Sequence, residues 1–114
     1  MDYNLENRTM RFSKDILNLC KKIKRSSVNL NTISQLIKSA TSVGANYREA
    51  NGASSKNDFR NKIYICKKEI QETKYWLELL AHTETEYNKD IEDVDKECYE
   101  LASIFGKIAA SMKK

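Results

Sequence analysis

The chain has 114 residues and a mass of 13.2 kDa, the size of one domain, here taken as residues 1–114. Its 40% hydrophobic and 32% charged residues make it too apolar for a disordered chain and too polar for a membrane protein, and no uncharged apolar run is long enough to span a bilayer. The net charge of +4 is unevenly spread: residues 1–81 hold 15 Lys/Arg against 8 Asp/Glu, whereas residues 82–114 hold 5 against 8.

With no proline and only three glycines, long periodic segments predict an all-helical chain. The stretch from Met1 to Arg11 is charged and lacks an apolar signal core, so secretion is not expected. The first helix is predicted from about Arg8 to Lys24, with Phe12, Ile16, Leu19 and Ile23 as its stripe and Leu17 and Cys20 widening it. A second helix starts near Asn29 or Asn31, either of which can cap it, and runs to about Ala50. Ile33, Leu36, Ile37, Ala40, Val43, Gly44 and Tyr47 share one face, and Gly44 inside it predicts close approach by a neighbouring helix. Asn51-Gly52 supplies the stop.

Ser55-Lys56-Asn57-Asp58 resembles a capping box and opens the third helix. There Phe59, Ile63, Cys66, Ile70, Thr73, Leu77 and Leu80 form a heptad seam. Beside it runs a second stripe of Ile65, Glu69, Glu72, Trp76 and Leu79, so this helix is expected to be contacted on two sides. Ile65, Trp76 and Leu79 are the candidate surface for self-association, with Trp76 as anchor. Thr83-Glu84-Thr85-Glu86 reads as a second capping box, leaving His82 in the connection. The fourth helix carries Ile91, Val94, Cys98, Leu101, Phe105, Ile108 and Met112 on its seam and an acidic outer face. Short connections between four such helices favour an antiparallel up-down-up-down four-helix bundle.

Little in the sequence points to catalysis or a cofactor. A di-iron bundle needs Glu-x-x-His pairs, and the chain has Glu69-x-x-Glu72 but no Glu-x-x-His. Cys20, Cys66 and Cys98 are far apart and fall in apolar stripes, which fits core residues in a reducing cytoplasm better than a zinc site. No nucleophile motif or phosphate loop is present. No catalytic residue, metal or cofactor is therefore assigned. Arg48, Glu69 and Glu72 are expected to form a polar network fixing the register of helices two and three. Basic residues cluster at Lys21, Lys22, Lys24 and Arg25 and again at Lys56, Arg60 and Lys67. Both groups are candidates for phosphate contact, with the acidic face of helix four expected to point elsewhere.

The run Gln35-Leu36-Ile37-Lys38-Ser39-Ala40-Thr41-Ser42-Val43-Gly44-Ala45-Asn46-Tyr47-Arg48-Glu49-Ala50 resembles the central segment of the four-helix bundle family labelled 23S rRNA-intervening-sequence proteins. The match continues through Ser54-Ser55-Lys56-Asn57-Asp58-Phe59 and Lys67-Lys68-Glu69-Ile70-Gln71-Glu72-Thr73-Lys74-Tyr75-Trp76-Leu77-Glu78-Leu79-Leu80. The resemblance implies an antiparallel bundle assembled as a ring-shaped homopentamer, encoded within insertions in bacterial large-subunit ribosomal RNA genes. It brings no catalytic residues. The accessory protein of diversity-generating retroelements is similar in fold, and its positive ring surface binds nucleic acid and a reverse transcriptase. The expected function is a non-enzymatic homo-oligomer binding RNA, DNA or a nucleic-acid-handling protein through a basic surface. The alternative is a structural protein–protein interaction module without nucleic-acid affinity.

Overall fold

The computed structural model describes residues 4–113. Met1 to Tyr3, part of the stretch read for a signal core, and Lys114 lie outside the described residues. Four α-helices account for nearly all of it: α1 (Leu5–Lys22), α2 (Leu30–Asn51), α3 (Lys56–Thr83) and α4 (Asn88–Ser111). A short 3-10 turn, Thr85–Tyr87, leads into α4, and there is no strand among the described residues. The whole measures 44 × 23 × 23 Å. At 1.5 Å per residue the 28 residues of α3 reach about 42 Å, so this helix alone spans the long axis.

One hydrophobic cluster joins all four helices. In α3, Ile63, Cys66, Ile70, Thr73, Leu77 and Leu80 are all buried, as the heptad seam predicts, while Phe59 at its open end is only half-buried. In α4, Ile91, Cys98, Leu101 and Phe105 are buried and Val94, Ile108 and Met112 are half-buried. All three cysteines are free and buried. Leu17, expected to widen the α1 stripe, is instead exposed, and Leu5 and Thr9 take core positions.

Contacts between neighbouring helices pair residues in opposite chain order. Between α2 and α3, Lys62 Nζ lies 2.9 Å from Glu49, the Cys66 thiol donates to the Val43 carbonyl, and Thr73 Oγ1 donates to Ser39 Oγ at 2.9 Å. Between α3 and α4, the Cys98 thiol meets the Ile70 carbonyl and Lys74 pairs with Asp95 at 3.0 Å. At the start of α1, Arg8 holds Glu97 at 2.7 Å and Glu100 at 3.1 Å, while Lys22 at its end holds Asp90 at 3.3 Å. Gly44 does meet a neighbouring helix closely: a Cβ there would lie 3.3 Å from Thr9 Oγ1 of α1.

The turns depart most from expectation. α1 starts three residues earlier than Arg8, from Asn4 in the left-handed region (φ 52°), and stops at Lys22 because Ile23 turns extended. Asn29 does not cap α2 with its side chain. That side chain is buried and organises the preceding turn: Oδ1 accepts from the Ser26 amide, and Nδ2 donates to the Lys24 carbonyl and to Glu84. Ser55 caps α3 as predicted, its hydroxyl accepting from the Asp58 amide at 3.0 Å. The second capping box is not formed. α3 runs on through His82 to Thr83, so His82 sits in the last turn of a helix, and α4 begins at Asn88 without a side-chain cap. Thr83 stays the last residue of α3, its hydroxyl donating back to the Leu80 carbonyl, so it does not stand as the cap of a following helix.

Candidate nucleic-acid interface

The two basic clusters lie at opposite ends of the long axis, because one closes α1 and the other opens α3. The α1 end is compensated in part, since Lys21 and Lys24 make no side-chain hydrogen bond or ion pair with another described residue. Lys22 is ion-paired with Asp90, and the Tyr87 hydroxyl donates to the Lys22 carbonyl. Arg25 is a structural residue: its guanidinium donates to the carbonyls of Cys20 (2.7 Å) and Ile23 (2.9 Å), closing the C-terminus of α1. A surface hollow beside Lys22 is lined by Asp15, Asp90, Asp93 and Glu97. The acidic face of α4 therefore does not point wholly away from Lys21, Lys22, Lys24 and Arg25; its first turns lie next to them.

At the other end compensation is sparser. Residues 56–68 carry Lys56, Arg60, Lys62, Lys67 and Lys68 against one acid, Asp58, with Glu6 and Glu49 nearby, and Lys107 near the end of α4 and Lys113 just after it add two more cations. Of these cations Lys62 is paired with Glu49, whose hydrogen bond raises its pKa. Lys56, Arg60 and Lys67 make no side-chain hydrogen bond or ion pair with any other described residue. An open groove of about 540 Å³ lies between the α2–α3 turn and the end of α4, with Phe59 and Met112 in its lining beside Lys56 and Arg60.

The expected network of Arg48, Glu69 and Glu72 is not formed among the described residues: Arg48 and Glu72 are exposed, Glu69 is half-buried, and no hydrogen bond or ion pair joins them. Neighbouring groups take its place, since Glu49 rather than Arg48 reaches α3 and the buried hydroxyls of Ser39 and Thr73 make the polar link. The Arg8–Glu97 and Lys74–Asp95 bridges were invisible to helical spacing because their partners come from different helices. In each, the partner's carboxylate raises the cation's pKa by hydrogen bonding. On the second stripe of α3, Ile65 and Leu79 are exposed at 36% and 37%, and Trp76 is half-buried with its ring edge-on to Tyr75. The Trp76 Nε1 is buried without a hydrogen-bond partner among the described residues.

The thiols offer no ready nucleophile: burial pushes Cys66 and Cys98 up to about 12 and raises Cys20 as well. Among the described residues no group of three His, Cys, Asp or Glu could hold a metal ion, and no helix is long and apolar enough to cross a membrane.

Fold and surface together define an all-α, four-helix protein with one end richer in cations than in acids. The chain belongs to the 23S rRNA-intervening sequence protein family, whose model matches residues 1–107. It is also similar to a protein of unknown function from the S23 ribosomal protein family of Bacteroides thetaiotaomicron VPI-5482, solved at 1.70 Å. The two share 36% identity at a TM-score of 0.79, over 91% of this chain and 96% of that one. No curated protein matches the chain.

Proposed function

We propose that this protein is a non-enzymatic, homo-oligomeric bundle protein of the cytoplasm, four helices in antiparallel up-down-up-down order, that binds nucleic acid, RNA foremost, through a basic surface. The observation that carries the reading is the set of unpaired cations Lys56, Arg60 and Lys67 at an end of the molecule where cations outnumber acids. A polyanion gains most where cations are not already neutralised within the protein. The opposite chain order of the interhelical contacts supports the antiparallel arrangement. The family's name links its members to a 23S rRNA intervening sequence, and the homopentamer is what the sequence resemblance implies. The non-enzymatic reading rests on thiols that are buried and held protonated and on carboxylates none of which is buried among the described residues.

The test is fluorescence anisotropy with structured RNA, single-stranded RNA and duplex DNA at two salt concentrations. Affinity should fall steeply with salt. The triple reversal Lys56→Glu, Arg60→Glu, Lys67→Glu should flatten the log–log slope by about two to three. No binding at low salt would end this reading. A second reading, a protein–protein interaction module, is favoured by exposed Ile65 and Leu79 beside half-buried Trp76. In either case light scattering should give a multiple of 13.2 kDa; a monomer at micromolar concentration would refute self-association.

A further inference from the structure

Ring faces and cations share one side of the basic end. In α3, Lys56, Arg60 and Lys67 fall on the flank turned toward α4, because Lys74, on the same flank, reaches Asp95 of α4, and Tyr64 lies beside them on the solvent side. On α4, Tyr99 stands one turn beyond Asp95, toward Lys67. Tyr64 is 39% exposed and Tyr99 67%, both far more open than a ring serving the core. Neither phenol makes a hydrogen bond to another described residue. Further along the same flank of α4, a Cβ on Gly106 would meet no atom within 4 Å, so the helix surface is open at that position. That surface leads into the open groove of about 540 Å³, where Phe59 and Met112 lie beside Lys56 and Arg60.

We infer that this α3–α4 face selects single-stranded nucleic acid over duplex, with Tyr64 and Tyr99 as stacking platforms, a base seated in the Phe59–Met112 groove, and Lys56, Arg60 and Lys67 on the phosphates. The inference rests on the nucleic-acid reading above and narrows its ligand. Phosphate contacts alone do not distinguish strands, since duplex and single strand both present them. Exposed rings do distinguish them, because only an unpaired base offers its face, and stacking on aromatic side chains tolerates any sequence. A groove of this volume is within the range that holds a molecule of nucleotide size. Lys56, Arg60 and Lys67 face away from the stripe of Ile65, Trp76 and Leu79, while Tyr64, next to Ile65 in sequence, borders it.

The experiment titrates fluorescein-labelled U20 RNA, dT20 and a 20-base-pair DNA duplex against the full chain and two variants. One is Tyr64→Ala with Tyr99→Ala. The other is Lys56→Glu with Arg60→Glu. Both alter exposed or groove-rim side chains, and circular dichroism checks that each stays folded. The wild type should bind both single strands at least about tenfold more tightly than the duplex. The tyrosine variant should lose about tenfold or more on single strands with duplex binding unchanged. The charge variant should weaken all three probes and flatten their salt slopes. U20 and dT20 should behave alike, since no contact proposed here reads the 2′-hydroxyl. If duplex is bound as well as single strand, or the tyrosine variant binds U20 and dT20 like the wild type, the strand selectivity is overturned while the basic-surface reading stands. If no probe binds at low salt, both fall.

Discussion

Cys66 and Cys98 sit at the two helix junctions of α3, each thiol aimed at a backbone carbonyl of the neighbouring helix. Burial raises both to about 12 from an ordinary thiol value of 9.0. The unfolded chain therefore releases these protons first. Stability from keeping the thiols neutral is complete below about pH 9 and is lost as pH rises from 9 toward 12. Each pKa unit corresponds to about 1.4 kcal/mol, so the two thiols together are an alkaline liability of several kcal/mol at most. Urea melts of the wild type should weaken over that range. Cys66→Ala with Cys98→Ala should start less stable, because it leaves cavities, but should decline less steeply. An identical pH slope in the two proteins would show that the thiols are more accessible than the structure has them.

Among the elements, α3 was the most legible from sequence and the turns the least. Its seam reads directly because six successive heptad positions face one core. Its start reads because the Ser55 cap is local, with donor and acceptor three residues apart. Ser55→Ala should cost about 1 kcal/mol in thermal or urea unfolding. Thr83→Ala should cost little, although Thr83-Glu84-Thr85-Glu86 has the spacing of a box, because its hydroxyl only bonds back to the Leu80 carbonyl. The box failed because Thr83 closes α3 instead of opening α4, and the turn beside it is organised by Asn29, which holds Glu84 from 55 positions away, a long-range bond no local motif encodes. Asn29→Ala should accordingly cost more than Ser55→Ala. It would strip the Ser26 amide, the Lys24 carbonyl and Glu84 of their shared partner in a part-buried turn, each a loss of up to about 1–3 kcal/mol where water cannot replace it. A ranking in the reverse order from urea melts would mean that this turn contributes less than its burial implies. The candidate site was half legible for the same reason: Lys56, Arg60 and Lys67 read as a helical cluster, but the neutralisation of Lys22 and the diversion of Arg25 depend on where α4 and the α1 terminus lie.

At the scale of the molecule, charge is sorted by end rather than by face. The start of α3 and the end of α4 carry cations with few acids, while the start of α4 brings Asp90, Asp93 and Asp95 to the end where α1 closes. Packing is shared by all four helices through one cluster, so an uncompensated charge inside it should act globally. Leu77 is 1% exposed, and Leu77→Asp should abolish cooperative unfolding by buried desolvation of the carboxylate. A soluble, cooperatively melting variant would place Leu77 outside the core.

The sorting of charge by end also bears on symmetry. A closed cyclic assembly repeats one operation about one axis, so its two rims need not be alike. Copies set with their 44 Å axes along that rotation axis would gather every Lys56, Arg60 and Lys67 on one rim and every Asp90 on the other. Such a body is two-sided: a polyanion would approach from one direction only, and two of them would repel rim to rim at their basic sides while the mixed rims stayed free to meet.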